Sequence, residues 1–251
     1  MQNCYFPNVA TSAKLAPNAV LRADQTRSSM DQIRATYMQV GVIHNASGSA
    51  YVELQGTKVI CAVYGPRNNP RGRRKFHEGG QLICDVKFAP FAERNRTRNA
   101  GQDPDEIDLS QIVTKALLPA IFLDKLPKCV VSCFVVILQS DGSELATAIM
   151  CASLALADAA IEMRDLVTAC NAGIVDDKLL VDLCTSEERM SQGNTMLAFL
   201  PSLQKSTFVM QQGTMTHAQV EEMIDVCSIA CSSVLNESMK VALTQKVEED
   251  R

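Results

Sequence analysis

A polar turn between two apolar stretches carries the residues most suited to chemistry. Residues 130–138 are mostly apolar, residues 139–144 read QSDGSE, and residues 145–160 are mostly small and apolar. A helix that begins directly after such a turn has backbone N–H groups without partners, so its N-terminus is suited to binding an anion. Yet no Arg or Lys occurs between Gln139 and Ile161. The sequence predicts a scaffold for a phosphate group without the cation that would hold the phosphate.

Basic side chains cluster in two other stretches, both of which have the composition of loops. The members are Arg67, Arg71, Arg73, Arg74 and Lys75 in the first stretch, and Arg94, Arg96 and Arg98 in the second. Lys and Arg bind RNA phosphates irrespective of base sequence, so both loops are candidate RNA contacts. The alternative is a solvated loop with surface arginines, and the residues alone leave both interpretations open. Phe76 and His77 could stack on a base, although a Phe beside a strand start is more often packed in the core.

Length and charge limit the classes of protein. The chain has 251 residues, 47% hydrophobic residues and 21% charged residues, which is enough for one large domain or two closely joined halves. Its net charge of -4 does not attract nucleic acid as a whole, so RNA binding requires a local basic patch. No apolar run reaches the length of a membrane span.

Cysteine usage points to a reducing compartment. The ten cysteines are scattered and none forms a Cys-x-x-Cys pair. No apolar signal segment precedes or follows Lys14 and Arg22, so we expect reduced, buried cysteines in a cytosolic or nuclear protein. The three histidines lack ligand spacing relative to any cysteine, and we expect no metal site.

The residue pattern predicts strands and helices in both halves, and hence an α+β layered fold. Strands are predicted at 37–43, 49–54, 58–64, 81–88, 129–138, 167–175, 178–182 and 194–200. Helices are predicted at about 103–122, at 144–162 between layers, and from a capping box at 216–219. We expect an N-terminal arm at 1–33, one domain at 34–240 and a charged tail at 241–251.

Four segments resemble the RNase PH family. They are residues 44–53 (HNASGSAYVE), 56–67 (GTKVICAVYGPR), 139–142 (QSDG) and 152–160 (ASLALADAA). That family comprises phosphorolytic 3′-exoribonucleases and the six ring subunits of the RNA exosome. The resemblance covers about residues 34–240 and implies an RNase PH-like domain of mixed and antiparallel sheets layered with helices. Residues 88–92 and 152–166 are most similar to the eukaryotic exosome subunit type named for messenger-RNA transport regulation.

The resemblance also implies which positions would hold phosphate. Active family members use two arginines, and the matching positions here are Asp105 and Leu145. A carboxylate repels phosphate and a leucine offers it no hydrogen bond, so we expect no catalytic residue and no phosphorolysis. Asp182 matches the first carboxylate of the family's acidic cluster, and we expect it to form a turn or cap. Glu187 and Glu188 are predicted to form a solvated helix start.

We therefore expect a non-catalytic ring subunit of the exosome that acts without a cofactor. The resemblance implies partners of four kinds: other RNase PH-like ring subunits, RNA-binding cap subunits, an associated nuclease subunit and the RNA itself. It also implies a location in the nucleus, including the nucleolus, and in the cytoplasm. Two alternatives stay open, an active phosphate-dependent 3′-exoribonuclease and a free-standing RNA-binding homo-oligomer.

Overall fold

The first of two β-sheets contains the strands predicted as a meander. The computed structural model describes residues 22, 27, 29–68, 79–92, 104–176 and 178–249. The strands of this sheet are β1 (Thr36–Val40), β2 (Gly48–Leu54), β3 (Thr57–Asn68), β4 (Gln81–Phe88) and β5 (Cys129–Gln139), in the order β1-β2-β3-β5-β4. Strands β1 to β3 pair antiparallel, as predicted, and β4 pairs parallel to β5. The continuously apolar β3 lies at the centre.

The second sheet is antiparallel throughout. Its strands are β6 (Thr168–Val175), β7 (Lys178–Val181), β8 (Gly193–Leu200) and β9 (Lys205–Gly213), in the order β7-β6-β8-β9. The sequence did not predict β9. Most of its side chains are exposed or half-buried, because it is an edge strand, so the alternation that marks a buried strand face is weak.

One apolar helix fills the space between the sheets. Helix α2 (Glu144–Asp158) buries nearly every side chain from Ala146 to Leu156, as the sequence predicted for a helix between layers. It packs on β2 and β3 on one side and on β6 on the other. The approach to β2 is close, because a Cβ at Gly48 would lie 2.3 Å from the backbone nitrogen of Ala159. Small residues at this contact allow the sheet and the helix to share one core.

The other helices pack around this layered core. They are α1 (Pro104–Leu117), α3 (Thr185–Met190), α4 (His217–Ala230) and α5 (Asn236–Glu249). Thr216 and Gln219 form the predicted capping box of α4. Helix α1 ends five residues earlier than predicted, since Pro119 begins a short 3-10 turn at Leu118–Ala120. Helix α3 contains the helix start that was predicted at Glu187 and Glu188, and it begins two residues earlier, at Thr185.

Both ends of the described chain differ from the sequence-based expectation. Arg22 and Arg27 belong to the predicted arm, yet both are buried against the second sheet. Residues 241–249 were expected to be a frayed tail, but α5 continues through them. Ala242 is buried and Lys246 forms an ion pair with Asp158, which holds this helix on the domain. The α+β layered architecture itself is confirmed.

Candidate functional site

A cavity of about 180 Å³ opens at the N-terminus of α2. It lies where the polar turn after β5 meets α3 and the second sheet. The residues that line it are Phe88, Leu109, Ser143, Glu144, Leu145, Ala146, Asn171, Glu188, Asn194, Met196, Met210 and Gln212. The wall therefore combines two carboxylates, three amide side chains and several apolar groups. None of these lining residues is a Lys or an Arg.

The turn that begins α2 is held in a strained conformation by contacts from other elements. Gly142 has φ +83°, and a Cβ there would lie 2.6 Å from the carbonyl oxygen of Leu183. Ser143 follows with φ 56°. The Thr57 hydroxyl donates to the carbonyl of Gly142 at 2.7 Å, and Ser143 Oγ donates to the carbonyl of Leu183 at 3.1 Å. Only glycine fits at the first of these positions, which explains why the turn needs it.

The anion position at this helix N-terminus is occupied by a carboxylate of the chain itself. Glu188 Oε1 accepts a hydrogen bond from the Ser143 amide at 3.1 Å and another from Asn171 Nδ2 at 3.0 Å. Burial, together with the nearby charge of Glu144, raises the pKa of Glu188 to about 7. Glu188 is half-buried and lines the cavity, so it is not the fully solvated side chain that was predicted.

The second carboxylate of the cavity also binds the turn. Glu144 Oε1 accepts from the Gly142 amide at 3.1 Å and forms a hydrogen bond with the Ser140 hydroxyl. Leu145, the residue matched to the second family position, lines the cavity beside it. Asp105 is exposed in the first turn of α1 and is not among the lining residues. The negative charge that repels an anion from this cavity thus comes from Glu144 and Glu188.

Asp182 lies beneath the turn in a buried ion pair with Arg34. The guanidinium donates to both carboxylate oxygens, at 2.9 Å from Nε and 2.7 Å from Nη2, and the Arg34 amide donates to Oδ2 at 2.9 Å. Arg34 also donates to the carbonyls of Asp141 and Gly142. Burial opposes ionisation of Asp182, but Arg34 outweighs it and lowers the pKa to about 2. Asp182 was expected to form a turn or cap, and its carboxylate instead forms a buried ion pair that binds Arg34.

Two further arginines complete this buried charge cluster. Arg22 binds Glu187 in a bidentate pair at 3.0 and 2.8 Å, and Arg27 Nη2 lies 3.4 Å from the same carboxylate. Arg27 also donates to the carbonyl of Asp182 at 2.7 Å. Glu187 is 2% exposed, so the expectation of a solvated side chain is wrong here as well. Arg22 and Arg27 lie in a polar segment with few apolar residues, so the residue pattern did not indicate that they bind buried carboxylates.

Of the eight residues predicted to contact RNA, the structure describes Arg67. Arg67 is exposed at the end of β3 and its guanidinium lies 5.1 Å from the centre of the Tyr64 ring. It belongs to a strand and not to a loop, because β3 extends to Asn68 and pairs with the start of β5. The remaining members lie outside the described residues: Arg71, Arg73, Arg74, Lys75, Arg94, Arg96 and Arg98.

Two other sequence-based expectations concern metals and membranes. Across the described ranges, no group of three or more His, Cys, Asp or Glu side chains could hold a metal ion. No helix within the described part of the chain is long and apolar enough to cross a membrane. The nine described cysteines form no disulfide with one another. Eight of them are buried, and burial was predicted.

Comparison with known proteins identifies the family. Residues 32–162 match the profile of the 3′ exoribonuclease family, domain 1, and residues 165–229 match domain 2 of the same family. The chain belongs to the RNase PH family. The two RNase PH segments meet between α2 and β6, so each contributes one of the two sheets.

Relatives within the RNase PH family match most of the chain. Exosome complex component Rrp41 of Methanopyrus kandleri is 37% identical over 221 residues, which is 88% of this chain and 91% of that protein. Exosome complex component RRP41-like of Arabidopsis thaliana is 37% identical over 214 residues, covering 85% of this chain and 81% of that protein.

A solved structure confirms the RNase PH-like fold. Rice (Oryza sativa) Rrp46 superposes with a TM-score of 0.77 at 24% identity, covering 88% of this chain and 100% of that one. A chain of the Archaeoglobus fulgidus exosome with RNA bound to the active site gives a TM-score of 0.72 at 23% identity, covering 84% and 89%. At these identities the likeness concerns the fold alone.

Proposed function

We propose that this chain is a non-catalytic subunit of the RNA exosome ring. It builds part of the channel through which RNA passes during 3′-to-5′ processing and degradation, including ribosomal-RNA maturation and messenger-RNA turnover. The observation that carries the proposal is the hydrogen bond of Glu188 to the Ser143 amide, at 3.1 Å. This bond supports the proposal because it sets a carboxylate of the chain at the N-terminus of α2, a place that would otherwise favour an external anion such as phosphate.

The charge of the cavity supports the same conclusion. Phosphorolysis needs an anion held in line while its charge is neutralised, and guanidinium groups do this through bidentate hydrogen bonds. Here the described part of the lining contains Leu145 and two carboxylates and no basic side chain. Arg34 contacts the turn, but its guanidinium is already bound to Asp182 and to two backbone carbonyls.

Assembly partners are proposed from the relatives. Both curated relatives carry the name of an exosome complex component, and the matches cover more than four fifths of each chain. We infer other RNase PH-like ring subunits, RNA-binding cap subunits and an associated nuclease as partners, with RNA in the channel. Residues 88–92 and 152–166 favour the messenger-RNA transport regulator three type of ring subunit. Such a subunit would reside in the nucleus, including the nucleolus, and in the cytoplasm.

The alternative of an active phosphate-dependent exoribonuclease is favoured by one observation. One structural neighbour has RNA bound at an active site on the same fold. The purified chain, alone and with its co-purified partners, should be incubated with 3′-labelled RNA and inorganic phosphate. We expect no phosphate-dependent release of nucleoside diphosphate attributable to this chain, and such release would overturn the proposal.

The assembly is tested separately from the chemistry. Affinity purification of the chain at moderate salt, followed by identification of the co-purifying proteins and native mass determination, should yield a hetero-oligomer with other RNase PH-like chains. Recovery of a homo-oligomer that binds RNA by itself would favour a free-standing RNA-binding protein instead.

A further inference from the structure

Strand β9 (Lys205–Gly213) is an edge of the second sheet, and most of its residues are exposed or half-buried. It has nine residues and no proline, and a bulge near its start leaves residues 208–213 in regular register with β8. Helix α1 approaches this strand on the cavity face, where Leu109 and Met210 line the same cavity, whereas Val209 is 42% exposed. A long edge strand without covering elements or prolines pairs readily with another strand.

The pairing pattern shows which backbone groups of β9 face away from the sheet. Along an antiparallel strand, residues alternate between those bonded to one neighbouring strand and those bonded to the other. The Val181 amide donates outside the sheet, so Ala172 opposite it is bonded to β8. Thr195, which pairs with Ala172, is therefore bonded to β6, and the N–H and C=O of Gln211 opposite Thr195 point outward. The same alternation turns the N–H and C=O of Val209 outward.

The other three sheet edges are covered by the chain itself. At β4, the outward amides of Val86 and Phe88 donate to side chains of α1 at 2.8 and 2.9 Å. At β7, the outward carbonyl of Val181 accepts a hydrogen bond from Arg22 at 2.8 Å. Helix α5 packs on β1, where Met38 is 2% exposed. Within the described ranges, β9 is therefore the edge that another strand can reach.

We propose that β9 pairs antiparallel with β9 of a second copy of this chain. Among the described residues, the second copy offers the same open edge and three covered ones, so the contact is isologous and joins identical strands. Two four-stranded sheets then continue across a two-fold axis. Lys205 is the only charged residue of β9 and lies at its first position, so like charges do not oppose each other along the paired region. This inference does not depend on the proposed function, because it concerns a sheet edge and not a reaction.

Met210 lies at the centre of the register that the strand allows. The regular part of β9 is residues 208–212, because the bulge precedes it and Gly213 has φ +88°. With Met210 opposite Met210 of the second copy, Val209 of each copy lies opposite Gln211 of the other. Both residues turn their N–H and C=O outward, so each of these two pairs exchanges two N–H···O bonds.

The first test compares the mass of the pure full chain with that of two variants. Gln211→Pro removes an outward N–H and leaves the amides that bond β8 in place, whereas the matched control Gln211→Ala keeps the N–H. Sedimentation equilibrium should give twice the monomer mass of 27.4 kDa for the wild type and for Gln211→Ala. The dissociation constant of the Gln211→Pro dimer should be at least about tenfold higher, since its two-fold axis removes two donors. Melting curves verify that the compared proteins are folded.

The second test measures the register and does not rely on a proline. Met210→Cys places two thiols opposite each other across the axis, with Cα atoms about 4.5 Å apart, which suits a disulfide. Gln212→Cys is the matched control on the same face, because its two copies are offset by four residues, or about 13 Å. Mild oxidation should link Met210→Cys into a covalent dimer, and Gln212→Cys and the wild type should run as monomers on a denaturing gel.

Three results would overturn the pairing of two β9 strands. The first is a wild type that sediments as a monomer at high concentration. The second is equal dissociation of Gln211→Pro and Gln211→Ala when both are folded, and the third is cross-linking of Met210→Cys no stronger than that of Gln212→Cys. If a monomeric wild type binds a different chain and Gln211→Pro loses that chain, the edge belongs to another partner and the second copy is excluded as its occupant.

Discussion

The Glu188 carboxylate and the Ser143 amide are joined by a hydrogen bond of 3.1 Å across 45 residues of sequence. The bond places a negative charge at the N-terminus of α2, where the unpaired N–H groups and the helix dipole favour an anion. An internal anion at this position competes with any external one.

Substitution of Leu145 by arginine should not restore phosphorolysis. A guanidinium at this position would lie beside Glu144 and Glu188 and would pair with these carboxylates before it could bind phosphate. We expect phosphate-dependent degradation of labelled RNA by Leu145→Arg to stay at the level without enzyme. The variant to compare with it carries both Leu145→Arg and Glu188→Gln, because it lacks the Glu188 carboxylate. Phosphorolysis by Leu145→Arg alone would show that the phosphate position lies elsewhere.

The stability of the protein should depend on the ionisation of Glu188. The pKa of this carboxyl is raised from 4.5 to about 7, so between these values the folded state binds more protons than the unfolded state. Stability therefore falls as pH rises through this window, by up to about 2–3 kcal/mol from this group. Glu188→Gln removes the dependence, so its stability relative to the wild type should rise from pH 5 to pH 8. Urea unfolding at several pH values measures this difference in stability between variant and wild type. The control is Glu222→Gln, which changes an exposed glutamate on α4, and its stability relative to the wild type should not vary with pH.

Loss of Arg34 should be strongly destabilising. Arg34→Met would leave the buried Asp182 carboxylate without its main partner and would remove the donors to Asp141 and Gly142. Removal of one partner of a buried ion pair typically costs about 3–5 kcal/mol. Lys58→Met is the control, because its pair with Glu53 is at the surface and should contribute less than about 1 kcal/mol. Equal unfolding midpoints for the two variants would contradict the assigned role of Arg34.

The basic loops should affect RNA binding and not folding. Replacement of Arg71, Arg73 and Arg74 by serine should change stability by no more than about 0.5 kcal/mol per site. RNA binding by the assembled ring should weaken, and its salt dependence should decrease by about 0.7 per lost phosphate contact. RNA titrations at several salt concentrations compare the ring that contains the wild-type chain with the ring that contains the triple-serine variant. Identical slopes and affinities would assign these arginines to a solvated loop.

The isolated chain should dimerise, aggregate or require a partner. Ile83 and Phe134 point outward from the first sheet and are 46% and 44% exposed, and Phe134 packs edge-on against Tyr64 with ring centres 5.9 Å apart. Exposed apolar residues that adjoin one another typically mark an interaction surface. Light scattering after size-exclusion chromatography measures the mass, and a stable monomer at high concentration would count against the ring role.

Local patterns predicted much of the fold. The meander of β1 to β3, the buried helix α2 and the capping box at Thr216 all follow from hydrophobic periodicity and turn residues over short stretches. Strand β9 was missed because an edge strand lacks a strong apolar face. Helix α3 was predicted only through its acidic start, because a helix of six residues is too short to show apolar periodicity. Residue patterns that arise within one helix or hairpin can be recognised in the sequence. A strand at the edge of a sheet has a weak pattern, because its exposure depends on its position in the sheet.

The candidate site was predicted only in part. The turn, Leu145 and the absence of a cation at 139–161 are local features, and the sequence showed them. The bonds of Glu188 to Ser143 and of Arg34 to Asp182 join residues 45 and 148 positions apart, so no local pattern could reveal them. Arg22, Arg27 and Arg34 recur in a segment without apolar clusters, and this was the available signal that the segment binds buried carboxylates.

The charge cluster of Arg22, Arg27 and Arg34 with Asp182 and Glu187 also governs how the molecule can be divided. The guanidinium groups precede the first sheet, and both carboxylates follow β7 in the second. If the chain were cut near residue 164, each fragment would keep buried charges of one sign without their counterparts. The two family segments are therefore expected to fold as one cooperative unit, with neither half stable by itself and with function recovered only when both are present.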